Sequence, residues 1–183
     1  MSIGNRKEVD TLPYMANTWV GVDPGKNGGI AIIKGNSMGD ESVKVYRCPD
    51  NVLDLGYILT SNGLGVMRKE ELHVLIEHVH AFPGQGVVST FSFGRNLGWW
   101  EGAFGSLDLE HDFVAPKKWM SYYSTTPGMS KRERKRFLRG IAERLFPNVK
   151  MTFNISDALL IANYCKEIYL KEALKEWRRG EKS

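Results

Sequence analysis

Three carboxylates each stand where an apolar stretch meets a turn or a helix start. Asp23 closes Trp19-Val20-Gly21-Val22 and is followed by Pro24-Gly25. Glu77 closes His73-Val74-Leu75-Ile76, and Asp157 follows Asn154-Ile155-Ser156 ahead of an apolar helical pattern. A carboxylate beside a core is costly to bury without a partner. Each has an ordinary explanation. Asp23 can bond its own backbone in a turn, Glu77 can be an exposed strand end, and Asp157 can cap a helix, where the dipole favours an acid. Together they permit another reading. Carboxylates held side by side repel, which raises one pKa or calls in a cation. Hard cations such as Mg²⁺ take oxygen ligands and keep waters for a substrate. Two such ions about 4 Å apart activate an attacking water and stabilise the leaving oxygen of a phosphodiester.

The elements that would bring the acids together can be read from the pattern. Strands are expected over about 18–23, 28–34 and 43–47, close enough in sequence for an antiparallel meander. Pro24, Gly25, Gly28 and Gly29 punctuate the first turn, and Gly35 to Asp40 form a loop. A short helix over 50–60, capped by Asp50 or Asn51, leads through a glycine-rich loop at 61–66 to a fourth strand at 73–77. Strand, helix, strand implies a right-handed crossover that lays the fourth strand parallel to the first. Asp23 and Glu77 then sit side by side at the carboxyl edge, where open α/β sheets place ligands. A glycine-punctuated helix follows over 87–105, with Gly94, Gly98 and Gly102 forming a smooth face for the sheet or a partner subunit. His111 to Ala115 is a fifth strand, and Pro116 opens a short helix. Ser130-Lys131-Arg132-Glu133 is a capping box for a helix stopped by Pro147. The last helix opens at Asn154 and frays after Trp177. Residues 1–16 read as a mobile arm, 17–178 as a single domain and 179–183 as a charged tail.

Composition is that of a globular chain: 42% hydrophobic and 25% charged residues in 183. No apolar run approaches the roughly 18 residues of a membrane span, and the first sixteen residues lack the apolar core of a signal peptide. Cys48 and Cys165 have no metal-ligand spacing, which fits a reduced, cytoplasmic setting. The glycine turn lacks the Gly-Lys-Ser/Thr ending of a phosphate loop. Net charge is only +4, but Lys117 to Arg139 holds eight basic residues against Glu133 alone. Such a block is either a solvated helix face or the footprint of a polyanion. Lys117, Lys118, Arg132, Arg134, Lys135 and Arg136 are the candidate contacts to a DNA or RNA backbone.

The run Val22-Asp23-Pro24-Gly25-x-x-Gly28-Gly29, then Leu75-Ile76-Glu77, then Ser156-Asp157-Ala-Leu-Leu-Ile-Ala resembles the RuvC family of Holliday-junction resolvases, within the RNase H-like superfamily. The resemblance spans about residues 18–170. Phe91-Ser-Phe-Gly94-Arg95-Asn96-x-Gly98-x-x-Glu101-Gly102 and Pro116-x-x-Trp119 are similar to phage and bacterial members. The resemblance implies an α/β RNase H-like fold, a five-stranded mixed sheet with three antiparallel strands and then two parallel, flanked by helices. It also implies a homodimer that binds branched DNA and makes paired hydrolytic nicks in a four-way junction, leaving 5′-phosphate ends. Mg²⁺, replaceable by Mn²⁺, would act as two ions per site, in the cytoplasm, that of a bacterial host if the chain is phage-encoded. Asp23, Glu77 and Asp157 match the family's catalytic, metal-binding acids. The fourth metal position, commonly an acid or His, is Asn154 here. Either one metal is held more weakly through its uncharged carbonyl, or Asn154 is an engineered substitution. The family places lysines near the scissile phosphate; Lys131 is the first candidate, ahead of Lys118 and Lys135, and Met120 stands where another is often found. An aromatic past the fourth-strand acid opens the junction in some members; His80 is nearest that place and Phe82 is the better stacking residue.

Other readings remain distinct. A debranching, flap-cutting or RNA–DNA hybrid nuclease would use the same acids and basic surface. A junction-binding protein with weak or no chemistry is compatible with Asn154. A sugar-kinase or actin-like ATPase also opens with Asp-x-Gly, but needs two such domains, for which 183 residues leave no room.

Overall fold

A computed structural model describes residues 17–35, 40–78, 84, 86–125 and 128–180, with backbone only at 177, 178 and 180. The expected arm at 1–16, the junction-opening candidates His80 and Phe82, and the end of the tail lie outside the described residues.

Strand β1 (Thr18–Asp23) is central to a five-stranded sheet of order β3-β2-β1-β4-β5. It pairs antiparallel with β2 (Gly29–Gly35), which pairs antiparallel with β3 (Glu41–Arg47). On its other side β1 pairs in parallel with β4 (Leu72–Glu77), which pairs in parallel with β5 (Asp112–Val114). This is the expected meander followed by two parallel strands. The register sets Val22 beside Ile76, so Asp23 and Glu77 follow at the same carboxyl edge.

Alternation along β1 divides the core. Val20 and Val22 face a layer with Ile30, Ile32, Val74 and Ile76. It is covered by α1 (Val52–Ser61) through Leu55, Ile58 and Leu59, and by α2 (Val87–Ser106) through Trp100 and Phe104. Of the two expected caps, Asn51 caps α1, accepting from the Asp54 amide at 2.9 Å. Trp19 points to the opposite layer with Ala31, Ile33 and Leu75. That layer is closed by α3 (Pro116–Tyr122), α4 (Lys131–Leu145) and the long α5 (Phe153–Gly180). The capping box at Ser130 and Glu133 is formed.

Helix α5 reaches the sheet because the residues between them are small. A Cβ at Gly21 would overlap the backbone of Ala158 and Ala162. Glycine in a strand interior commonly marks such an approach.

Three expectations change. Helix α5 begins at Phe153, so Asp157 lies beyond the first turn and does not cap it. The same helix continues to Gly180, past Trp177. Gly94, Gly98 and Gly102 do not meet the sheet, because a Cβ at each would enter open space. Asn96, Trp100 and Phe104 form the buried face of α2 instead. Among the described residues, no helix is long and apolar enough to cross a membrane.

Candidate active site

Asp23 and Glu77 end adjacent parallel strands, and the two-residue period turns both toward the α5 layer, as it does Trp19 and Leu75. Asp157, on the first part of α5, arrives at the same edge because α5 packs on Gly21. Behind Asp23 the turn is tight. A Cβ at Gly28 would overlap the Asp23 carbonyl, and Gly25 has φ +121°, which suits glycine. At Gly29 a Cβ would crowd the carbonyl oxygens of Tyr46 and Asn154. The Asn154 backbone thus lies against Gly29, the residue paired with Asp23 across β1 and β2.

The three charges act on one another. The Asp23 and Glu77 carboxyls lie close enough for each to act on the other. Burial, then the negative charge of Glu77 and of Asp157, pushes Asp23 well above the usual carboxylate range. Burial also raises Glu77, opposed by a hydrogen bond from Trp119. Burial raises Asp157, opposed chiefly by Lys135. Lys135 Nζ lies 3.6 Å from Asp157 Oδ2, and its charge also acts on Asp23 and Glu77.

The donors are all oxygen, the set a hard divalent cation takes. Asp23 and Glu77 held side by side concentrate negative charge at this edge, which a cation can neutralise. Among the described residues no three His, Cys, Asp or Glu side chains already close on one point. Asp157, paired with Lys135, would have to turn toward the other two.

An open cleft of about 850 Å³ runs from Asp23 and Gly25 across α2 to α4. Lys131 and Lys135 both line it, together with Lys26 and Arg95. The Arg95 guanidinium lies over the Trp99 ring at 5.2 Å, a cation-stacking pair on the cleft wall. Arg134 is close enough to act on Asp157. Arg132 and Arg136 are exposed on α4, and Lys117 and Lys118 are exposed at the start of α3.

Several participants had no role assigned from sequence. Trp119, 1% exposed, donates from Nε1 to Glu77 Oε1 at 2.8 Å. Asn96 Oδ1 accepts from the Gly25 amide at 2.7 Å. Both lie within tracts that carried the family resemblance, but no spacing rule links residue 96 to 25 or 119 to 77. The signal for Gly21 was present: a strand glycine opposite Ala158 and Ala162, one helical turn apart.

No protein-family model and no curated protein matches the chain. Solved structures do. Thermus thermophilus RuvC is similar at a TM-score of 0.53 and 16% identity, over 85% of this chain and 96% of that one. The structure of T. thermophilus RuvC in complex with Holliday junction substrate gives the same values. At that identity the likeness establishes the architecture: this chain has the RNase H-like fold of RuvC, with Asp23 and Glu77 at the carboxyl edge of its parallel strands.

Proposed function

We propose that the protein is a divalent-metal-dependent DNA endonuclease that resolves four-way junctions by paired nicks, acting as a homodimer. The observation that carries this reading is the set of Asp23, Glu77 and Asp157 acting on one another at one sheet edge, with Asp23 on a cleft also lined by Lys131 and Lys135. Its fold is that of a protein whose structure is described as a complex with Holliday junction substrate.

Asp23, Glu77 and Asp157 would hold Mg²⁺ or Mn²⁺, two ions per site, with Asn154 as an uncharged fourth donor. When bound, the metal supplies a water nucleophile and charge stabilisation at the scissile phosphate. The chain itself provides the rest. Lys131 and Lys135 hold the scissile phosphate at the cleft wall, and Lys135 leaves Asp157 as it does so. Arg132, Arg134 and Arg136 on α4, with Lys117 and Lys118 on α3, hold the flanking backbone without reading sequence. His80 and Phe82 are assigned to base stacking at the branch. The exposed glycine face of α2, with Val87 and Phe91 also exposed, is where two copies would meet.

The test is cleavage of synthetic four-way junctions, Y-forks and RNA–DNA hybrids side by side, with Mg²⁺ or with EDTA. Symmetrical nicks with 5′-phosphate ends on the four-way junction support a resolvase. Preferential cutting of forks or hybrids selects a broader nuclease. Asp23→Asn is expected to abolish cutting and to retain junction binding. Unchanged turnover in that variant ends the nuclease reading.

A second reading, a junction-binding protein with little chemistry, draws on Lys135 already neutralising Asp157 and on the missing charge at Asn154. It is selected if the wild type binds junctions without Mg²⁺-dependent cutting and Asn154→Asp is equally inert.

A further inference from the structure

A metal site needs its carboxylates held to within about 0.5 Å of their working positions by groups that are themselves locked. Asp23 and Glu77 end strands, where the backbone alone does not select a side-chain rotamer. Glu77 is instead held by a hydrogen bond from a buried indole, and the turn that follows Asp23 is held by one to a buried amide, from opposite faces of the sheet.

On the α5 face, Trp119 is packed in the core layer with Leu75 and Leu160. Its indole N–H is its one polar group, and it is committed to Glu77 Oε1 at 2.8 Å. That bond fixes one oxygen of Glu77. On the α2 face, Asn96 is 8% exposed and uses both ends of its amide. Oδ1 accepts from the Gly25 N–H at 2.7 Å, and Nδ2 donates to Cys48 Sγ at 3.0 Å. A backbone N–H can only donate, so the orientation of the amide follows from chemistry. Cys48 in turn donates its own amide to the Gly28 carbonyl at 2.9 Å. Both ends of the turn that follows Asp23 are thus tied to one point on α2.

We infer that Trp119 and Asn96 are positioning residues for metal binding, Trp119 by orienting Glu77 and Asn96 by pinning the turn that carries Asp23. This rests on the reading of Asp23 and Glu77 as metal ligands. Partners that orient ligands in this way typically set metal affinity over a range of about 10- to 100-fold.

The experiment is a Mn²⁺ titration of the full chain, followed by the electron-spin signal of free Mn²⁺, for the wild type, Asp23→Asn, Trp119→Phe and Asn96→Ala. Melting temperature without metal and metal-free junction affinity are measured in parallel. Trp19→Phe is the comparison, because Trp19 lies in the same core layer and its indole N–H has no partner among the described residues. Trp119→Phe and Asn96→Ala should each weaken Mn²⁺ binding about 10-fold or more, with junction affinity unchanged. Trp19→Phe should lower the melting temperature and leave Mn²⁺ affinity alone. If Asn96→Ala does not fold, the near-isosteric Asn96→Leu takes its place. Wild-type Mn²⁺ affinity in either Trp119→Phe or the Asn96 variant overturns the inference by itself. Equal titrations of wild type and Asp23→Asn would instead remove the metal reading, and the positioning roles with it.

Discussion

At Asp23, burial and two neighbouring carboxyls all act in one direction, and the group binds its proton more tightly than an unfolded chain would. The consequence for stability has a definite sign. A carboxyl raised in the folded state contributes stability that is complete below its unfolded value and is lost as pH rises through the folded value. In EDTA the melting temperature should therefore fall from about pH 4 upward as Asp23 loses its proton. Asp23→Asn should flatten that fall and raise the neutral-pH melting temperature, by about 2–4 °C for each kcal/mol of repulsion relieved. Calorimetry across the pH range checks this, and parallel profiles for wild type and variant would contradict it. The same residues mark what could be read in advance. Asp23, Glu77 and Asp157 are conspicuous because acids at the ends of apolar stretches are expensive. Asn96 and Trp119 are not, because a buried amide or indole is unremarkable until its partner is known.

Two elements decide whether the acids can act together. Helix α5 carries Asp157, and its approach to β1 depends on Gly21 fitting against Ala158 and Ala162. Gly21→Val should cost about 3 kcal/mol through overpacking, measured by urea unfolding. A change below about 0.5 kcal/mol would mean that the helix can slide away without penalty. Helix α4 was legible from its capping box and basic face, and it forms as expected. What the pattern could not settle is which lysine faces the acids. Lys131 and Lys135 are one turn apart and both reach the cleft, but Lys135 makes the ion pair with Asp157. Neutralising Arg132, Arg134 and Arg136 together should weaken junction binding and reduce the slope of log affinity against log salt by about 2 to 3, if each contacts a phosphate. An unaltered slope would remove α4 from the interface.

For the whole molecule, the proposed paired nicks would require two sites in fixed relation, and hence a dimer. The glycine face of α2 is the surface proposed for it, since a Cβ at Gly94, Gly98 or Gly102 would meet nothing among the described residues. Gly98→Leu separates interface from fold. An exposed helical glycine replaced by leucine should gain up to about 1 kcal/mol of helix stability, while the close approach of a second copy would be blocked. Light scattering should then show a monomer with an undiminished melting temperature. A dimer that persists would place the contact elsewhere.

The meander of the first three strands, the parallel crossover to the fourth and the candidacy of the three acids could be read from the sequence alone, because each depends on short-range alternation, turn residues and one handedness rule; the place of the fifth strand came only with the family resemblance. The distance between Asp157 and the strand acids, the choice of Lys135 as its partner, and the Asn96 and Trp119 hydrogen bonds were decided by the tertiary structure. Those contacts join residues from 22 to 134 positions apart. Such contacts form only after two helical layers have closed on the sheet, and closure depends on side-chain volumes at Gly21, Ala158 and Ala162 that no local pattern weighs.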